Sequence, residues 1–178
     1  MRGVREAWML IPIPTQYPRN NNRPHVLLKV VALNRLYSAG VLAVHDVAYH
    51  IHRQAQDIDA ALDIGAPEIV DRIAKVTISA TGGEINYWSF GAKYCSWHNP
   101  DAYLLWDSRV RRYLHSLKGT EFAHPDLWTR YAEFKELMSN FCRRYQLESL
   151  NFKEIDKFLW KYGEKPENAE SATSGKQI

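Results

Sequence analysis

Apolar residues in this chain return every three or four positions over most of its length, and that spacing commits it to packed amphipathic helices rather than sheets. Val44, Val47, Ile51, Ala55, Ile58 and Leu62 form one such stripe, with Asp46, Arg53 and Asp57 left for the opposite face. Leu127, Tyr131, Phe134, Met138, Phe141 and Tyr145 form a second, and Ile155, Phe158, Leu159 and Tyr162 form a last one. A shorter segment from Pro67 to about Val76 follows the same rule. Val26 to Tyr37 is apolar on nearly every side, the pattern of a helix enclosed by others. Strand-type alternation is nearly absent. The expectation is an all-α domain of about six to eight helices.

Four prolines (Pro12, Pro14, Pro18 and Pro24) and the run Asn20-Asn21-Asn22 oppose a helix before Val26. Residues 1–37 carry six bases against one acid, so residues 1–24 read as an extended basic arm. Residues 163–178 lack large apolar side chains apart from the last and read as a disordered polar tail. The helical domain is therefore 25–162, one compact unit in a chain of 178 residues. No apolar run approaches the roughly 20 residues that a membrane helix needs. Cys95 and Cys142 are too few for a four-cysteine zinc site or a disulfide framework, which makes a reducing cytoplasm the expected compartment. A monomer is the expected state.

The stretch from Ser89 to Leu117 carries the densest chemistry. Gly91 can permit a tight turn or a close approach of backbone to a ligand. Lys93 follows within a short helix, and Asn99-Pro100-Asp101 reads as a break. Asp107-Ser108 then precede Val110, Tyr113, Leu114 and Leu117, an amphipathic helix with Asp107 at or near its N-cap. Arg109, Arg111, Arg112 and Lys118 place four positive charges and no acid in residues 108–118, suited to phosphates. Aromatic residues make up 12%, with 6 Trp and 10 Tyr, more than a minimal core requires.

This region resembles the lysine-to-aspartate region of the helix-hairpin-helix DNA glycosylases, especially their 8-oxoguanine glycosylase-like branch. Gly91-Ala92-Lys93 is similar to the G-x-K step that ends the superfamily's hairpin. Trp106-Asp107-Ser108-Arg109-Val110 is similar to the sequence that opens its next helix. Residues 33–51 resemble its early helix-loop-helix, whose loop, here Tyr37-Ser38-Ala39-Gly40, approaches the gap left by a flipped base. The chain departs from the pattern at Ser89-Phe90-Gly91, where the superfamily has two glycines, and its connection from Lys93 to Asp107 is short.

The resemblance implies a helical glycosylase domain that excises an oxidised purine or a hypermodified pyrimidine of phage DNA from a duplex, with no cofactor. Asp107 would stabilise the sugar cation and Lys93 would be the candidate Schiff-base nucleophile. Gly91, Arg109, Arg111, Arg112, Tyr37 and Ser38 would contact DNA. Trp88, Trp97, His98 and Trp106 would line the base pocket.

Two other readings stand beside this one. His45, Asp46, His50 and His52 suggest a metal-dependent hydrolase, although His50 and His52 point to different sides of a helix. A non-catalytic helical module that binds nucleic acid or protein needs the basic face but neither Lys93 nor Asp107.

Overall fold

The computed structural model describes residues 13–123 and 129–162; residues 1–12 of the arm, the tail 163–178 and Leu127 lie outside the described residues. In chain order the elements are α1 (Ile13–Gln16), α2 (Arg23–Tyr37), α3 (Val44–Arg53), α4 (Ala55–Ile64), α5 (Glu68–Ala74), β1 (Lys75–Thr77), β2 (Glu84–Asn86), α6 (Trp88–His98), α7 (Ser108–Ser116), α8 (Tyr131–Arg144) and α9 (Phe152–Tyr162), with a 3₁₀ turn at Glu121–Ala123. The fold is mostly helical, as the periodicity predicts. Among the described residues no helix is long and apolar enough to cross a membrane.

Nine α-helices occur among the described residues, above the expected range, because the single stripe over 44–62 breaks at Gln54 and because the supposed arm contains α1. The segment from Ile13 is not an extended arm. Asn20 is fully buried, and its side-chain amide and backbone N–H both donate to Asp59. Asn22 then caps α2 by accepting from the His25 N–H at 3.1 Å, with a proline in the first turn.

The expectation that α2 is enclosed on all sides is corrected. Val26, Val30 and Leu33 are buried, but Leu28, Val31 and Leu36 on its other face remain exposed. The enclosed helix is α6, in which every residue from Phe90 to Ser96 is buried. It packs on α5, and Gly91 makes that possible: a Cβ there would lie 2.6 Å from the Val70 carbonyl oxygen and 3.2 Å from the Ala74 Cβ. Between these helices runs the hairpin that periodicity missed, pairing Lys75 with Asn86, Val76 with Ile85 and Thr77 with Glu84. Three-residue strands are too short to show alternation.

The last helices join the same core, α8 against α5 and α9 against α7. Buried Val110 and Leu114 of α7, Phe134, Met138 and Phe141 of α8 and Ile155 and Leu159 of α9 belong to one continuous core with α2 to α6. Each such side chain contributes about 1.5–3 kcal/mol by leaving water. The segment joining α6 to α7 is held from three sides. The Tyr103 hydroxyl reaches the carbonyls of Ala61 (3.1 Å) and Ala66 (3.0 Å), the Tyr131 hydroxyl donates to Leu104 O at 2.8 Å, and the Leu105 N–H donates to Asp156 Oδ1 at 3.0 Å.

Candidate active site

Lys93 lies in the middle of α6 and is 6% exposed. Its Nζ donates to the carbonyl oxygen of Tyr37, the last residue of α2, at 3.4 Å. Tyr37 is followed by Ser38 in the left-handed region (φ 50°, ψ 49°), which turns the chain out of α2. The structure therefore brings Lys93 against the Tyr37–Gly40 turn. Ser38 is exposed and Tyr37 half-buried.

Asp107 is the N-cap of α7. Its Oδ1 accepts the N–H groups of Arg109 at 2.8 Å and Val110 at 3.1 Å. Extended backbone (φ −150°, ψ 179°) lets the side chain fold back over the first turn. Both bonds fall on one oxygen, so the carboxylate is fixed in direction. Arg109, Arg111 and Arg112 stand on the same first turns of α7, Arg111 exposed and the other two half-buried.

Two further groups join the site that the sequence reading left out. Asp156 on α9 is buried, and its Oδ2 has no hydrogen-bond partner. Burial above all, together with the nearby charge of Asp107, pushes its carboxyl up to about 7 against the opposing pull of the Leu105 N–H and Lys153. Lys153, one turn earlier, donates to Ser96 Oγ of α6 at 3.3 Å, and burial lowers it from the ordinary lysine range. The charge of Asp156 also reaches the Tyr37 phenol, which burial in the first place pushes upward. Lys93 thus meets the Tyr37 backbone, while the Tyr37 phenol and Asp107 lie within range of the Asp156 charge. The signal for Asp156 was present in the sequence: Phe152, Ile155, Asp156 and Leu159 occupy one helical face, and an acid stands at a core position.

Several proposed contacts are corrected. Gly91 is inside α6 with its N–H bonded to Tyr87 O at 2.9 Å, buried against α5, and so is not a DNA-facing turn. Trp88 and Trp106 do not flank an open base slot. They meet each other at 5.1 Å between ring centroids, Trp106 packs on Phe134 at 4.9 Å, and the Trp88 indole N–H donates to Asp71 Oδ1 at 2.7 Å. His98 is five residues from Lys93, on another face of α6. Its Nε2 accepts from the Lys29 ammonium at 3.3 Å, and burial drives it down to about 3, so it is a neutral imidazole. Trp97, four residues from Lys93 and half-buried against the core, shares the lysine's face by helical spacing.

A second polar cluster occupies the His98 side. The buried Lys29 shares its protons among Tyr17 O, Arg19 O, Asn20 Oδ1 and His98 Nε2, while Tyr94 also donates to Asn20 Oδ1. Burial lowers Lys29 to about 8, partly offset by Asp59. An open cavity of about 240 Å³ adjoins this cluster, lined in part by Pro14, Arg19, Asp59, Asp63 and His98. The histidines of α3 serve the fold: His50 donates to Arg72 O at 2.8 Å and His52 to Asn20 O at 3.0 Å. Among the described residues no group of three His, Cys, Asp or Glu side chains could hold a metal ion.

Comparison with known proteins places residues 9–102 in the match of one family, HI_0787_N, described as an N-terminal domain. That range contains Tyr37 and Lys93 and stops short of Asp107. A protein of Haemophilus influenzae described as uncharacterized is 38% identical over 134 residues, covering 73% of this chain and 62% of its own length. The chain thus spans less than two thirds of that relative. No solved structure matches.

Proposed function

The chain belongs to the HI_0787_N family of N-terminal domains, and from that premise we propose that it is a DNA N-glycosylase acting as a monomer on duplex DNA in the cytoplasm. The substrate base is an oxidised purine or a hypermodified pyrimidine of phage DNA. Two observations support the reading: a buried lysine amine is held under the turn that ends α2, and a carboxylate is fixed in direction at the start of α7.

These residue types suit cleavage of a C1′–N bond. The bond breaks with its electron pair leaving on the base, which takes a proton from water, and the sugar becomes cationic. Asp107 stabilises that charge from a preorganised direction. Lys93, as the neutral amine, adds to C1′ and gives up its proton to solvent. The ring oxygen takes a proton as the sugar opens to the Schiff base. The target base must leave the stack, and Trp97 and the Tyr37–Gly40 turn are the groups near Lys93 that support an extruded nucleotide. The basic first turns of α7 suit the flanking phosphates.

The test is incubation with duplexes carrying different modified bases, followed by alkali to reveal abasic sites. Base release is expected from at least one duplex. Asp107→Asn should lower it by about 10²–10³, the scale of losing one fixed electrostatic group. Borohydride should trap a covalent adduct that Lys93→Gln abolishes. Retained DNA binding without base loss from any duplex would favour the non-catalytic helical module instead.

A further inference from the structure

Asp156 stands at a core position of α9 with one carboxylate oxygen bonded to the Leu105 N–H and the other unpaired. The Leu105 bond accounts for the first oxygen but not for the second, because unpaired buried polar atoms are destabilising and natural cores avoid them. Such a group persists where function requires it. Its surroundings define what it can do. The Leu105 N–H reaches it from the α6–α7 segment, and the charge of Asp107, at the N-cap of α7, acts on it. The phenols of Tyr37 from α2 and Tyr131 from α8 lie in reach of its charge. Lys153 faces it from α9 itself, with Asp101 and Lys157 near that lysine in turn.

Resting on the glycosylase reading, we propose that Asp156 is a positioning residue of the site: through Leu105 it anchors the segment carrying Asp107, and its unpartnered oxygen supplies a second negative charge behind Asp107 where the sugar becomes cationic. The two roles use different oxygens. Oδ1 is held by Leu105 whatever the charge state, whereas Oδ2 carries the proton when the group is neutral. Loss of that proton adds field at the site without moving the backbone. The reaction is then faster with Asp156 ionised, since a cationic transition state gains from each fixed negative charge nearby.

The experiment is base release against pH from 5.5 to 8.5, under single-turnover conditions, for the wild type, Asp156→Asn and Lys153→Gln. The wild-type rate should rise about tenfold in a one-proton step near neutral pH. Asp156→Asn keeps an oxygen for the Leu105 N–H but cannot ionise, so its profile should lose that step and stay at the slow plateau. Lys153→Gln removes the neighbouring ammonium and should move the step to higher pH. A purely structural Asp156 would change the rate at all pH values and leave the step in place. A step that survives in Asp156→Asn, or that Lys153→Gln leaves unmoved, overturns the assignment while base release itself stands. Absence of base release by the wild type from every duplex overturns both readings together.

Discussion

Leu105 and Asp156, 51 residues apart, are joined by a 3.0 Å hydrogen bond that fixes the chain two residues before the N-cap aspartate of α7. Because α9 supplies the acceptor, the last described helix sets the geometry of a site whose first named members lie on α2 and α6. The bond also leaves the carboxyl half satisfied. Stability should therefore depend on its protonation.

A carboxyl raised to about 7 in the fold, against about 3.9 unfolded, binds its proton more tightly when native. Its contribution is fully present below pH 4 and is lost as pH rises towards 7. Asp156→Asn should match the wild type near pH 4 and exceed it at pH 8 by on the order of 4 kcal/mol. Urea unfolding at both values checks this. A variant weaker than wild type at pH 8 would show that the carboxylate is satisfied.

His98 acts with the opposite sign. Burial lowers it to about 3, so below its unfolded value near 6.5 the unfolded chain takes the proton first, and stability is lost as pH falls from there towards 3. The two effects overlap between about pH 4 and 6.5 and offset each other in the wild type. Melting of Asp156→Asn across that window should show a steeper acid loss than the wild type, whose curve should be nearly flat. Parallel curves would mean that one of the two groups does not titrate as buried.

Gly91→Ala separates a packing glycine from one that meets DNA. A methyl group placed 2.6 Å from the Val70 carbonyl oxygen must push α5 and α6 apart. The protein without DNA should lose about 1–3 kcal/mol. Unchanged melting with weakened DNA binding would restore the turn reading.

Leu42 tests the turn itself. It is 93% exposed just beyond Gly40, so Leu42→Ala should leave the melting temperature unchanged. If this turn enters the duplex gap, an apolar tip helps to hold the bases apart. Base release should then fall by about tenfold or more, and equal rates for both proteins would remove the turn from the DNA interface.

Helices with one apolar face were legible because burial on that face is what forms them, and the Asp107 cap was legible because its partners are its own next residues. Gly91 was not, since the same residue type serves a turn and a tight helix crossing, and only the position of Val70 decides between them. Trp88 and Trp106 stand near Lys93 in sequence, yet Asp71 and Phe134 draw them into the core. Tyr37 meets Lys93 across 56 residues, a relation no local spacing encodes. Asp156 is visible as an acid beside Ile155 on the face of the last stripe, but its bond to Leu105 across 51 residues is not.

The cluster around Asn20 has a consequence for how the chain is made. Asn20 meets Asp59 across 39 residues and Tyr94 across 74, so the segment that closes one flank of α6 leaves the ribosome long before α6 does. At about 5–20 residues per second, that delay lasts roughly 4 to 15 seconds. The Lys29 contacts to the Tyr17 and Arg19 carbonyls and the Asn20 side chain span only 9 to 12 residues, so every partner in them is synthesised well before Tyr94. The polar socket around Lys29 is complete only when Tyr94 and His98 arrive, so the helix bearing Lys93 is the element that closes it.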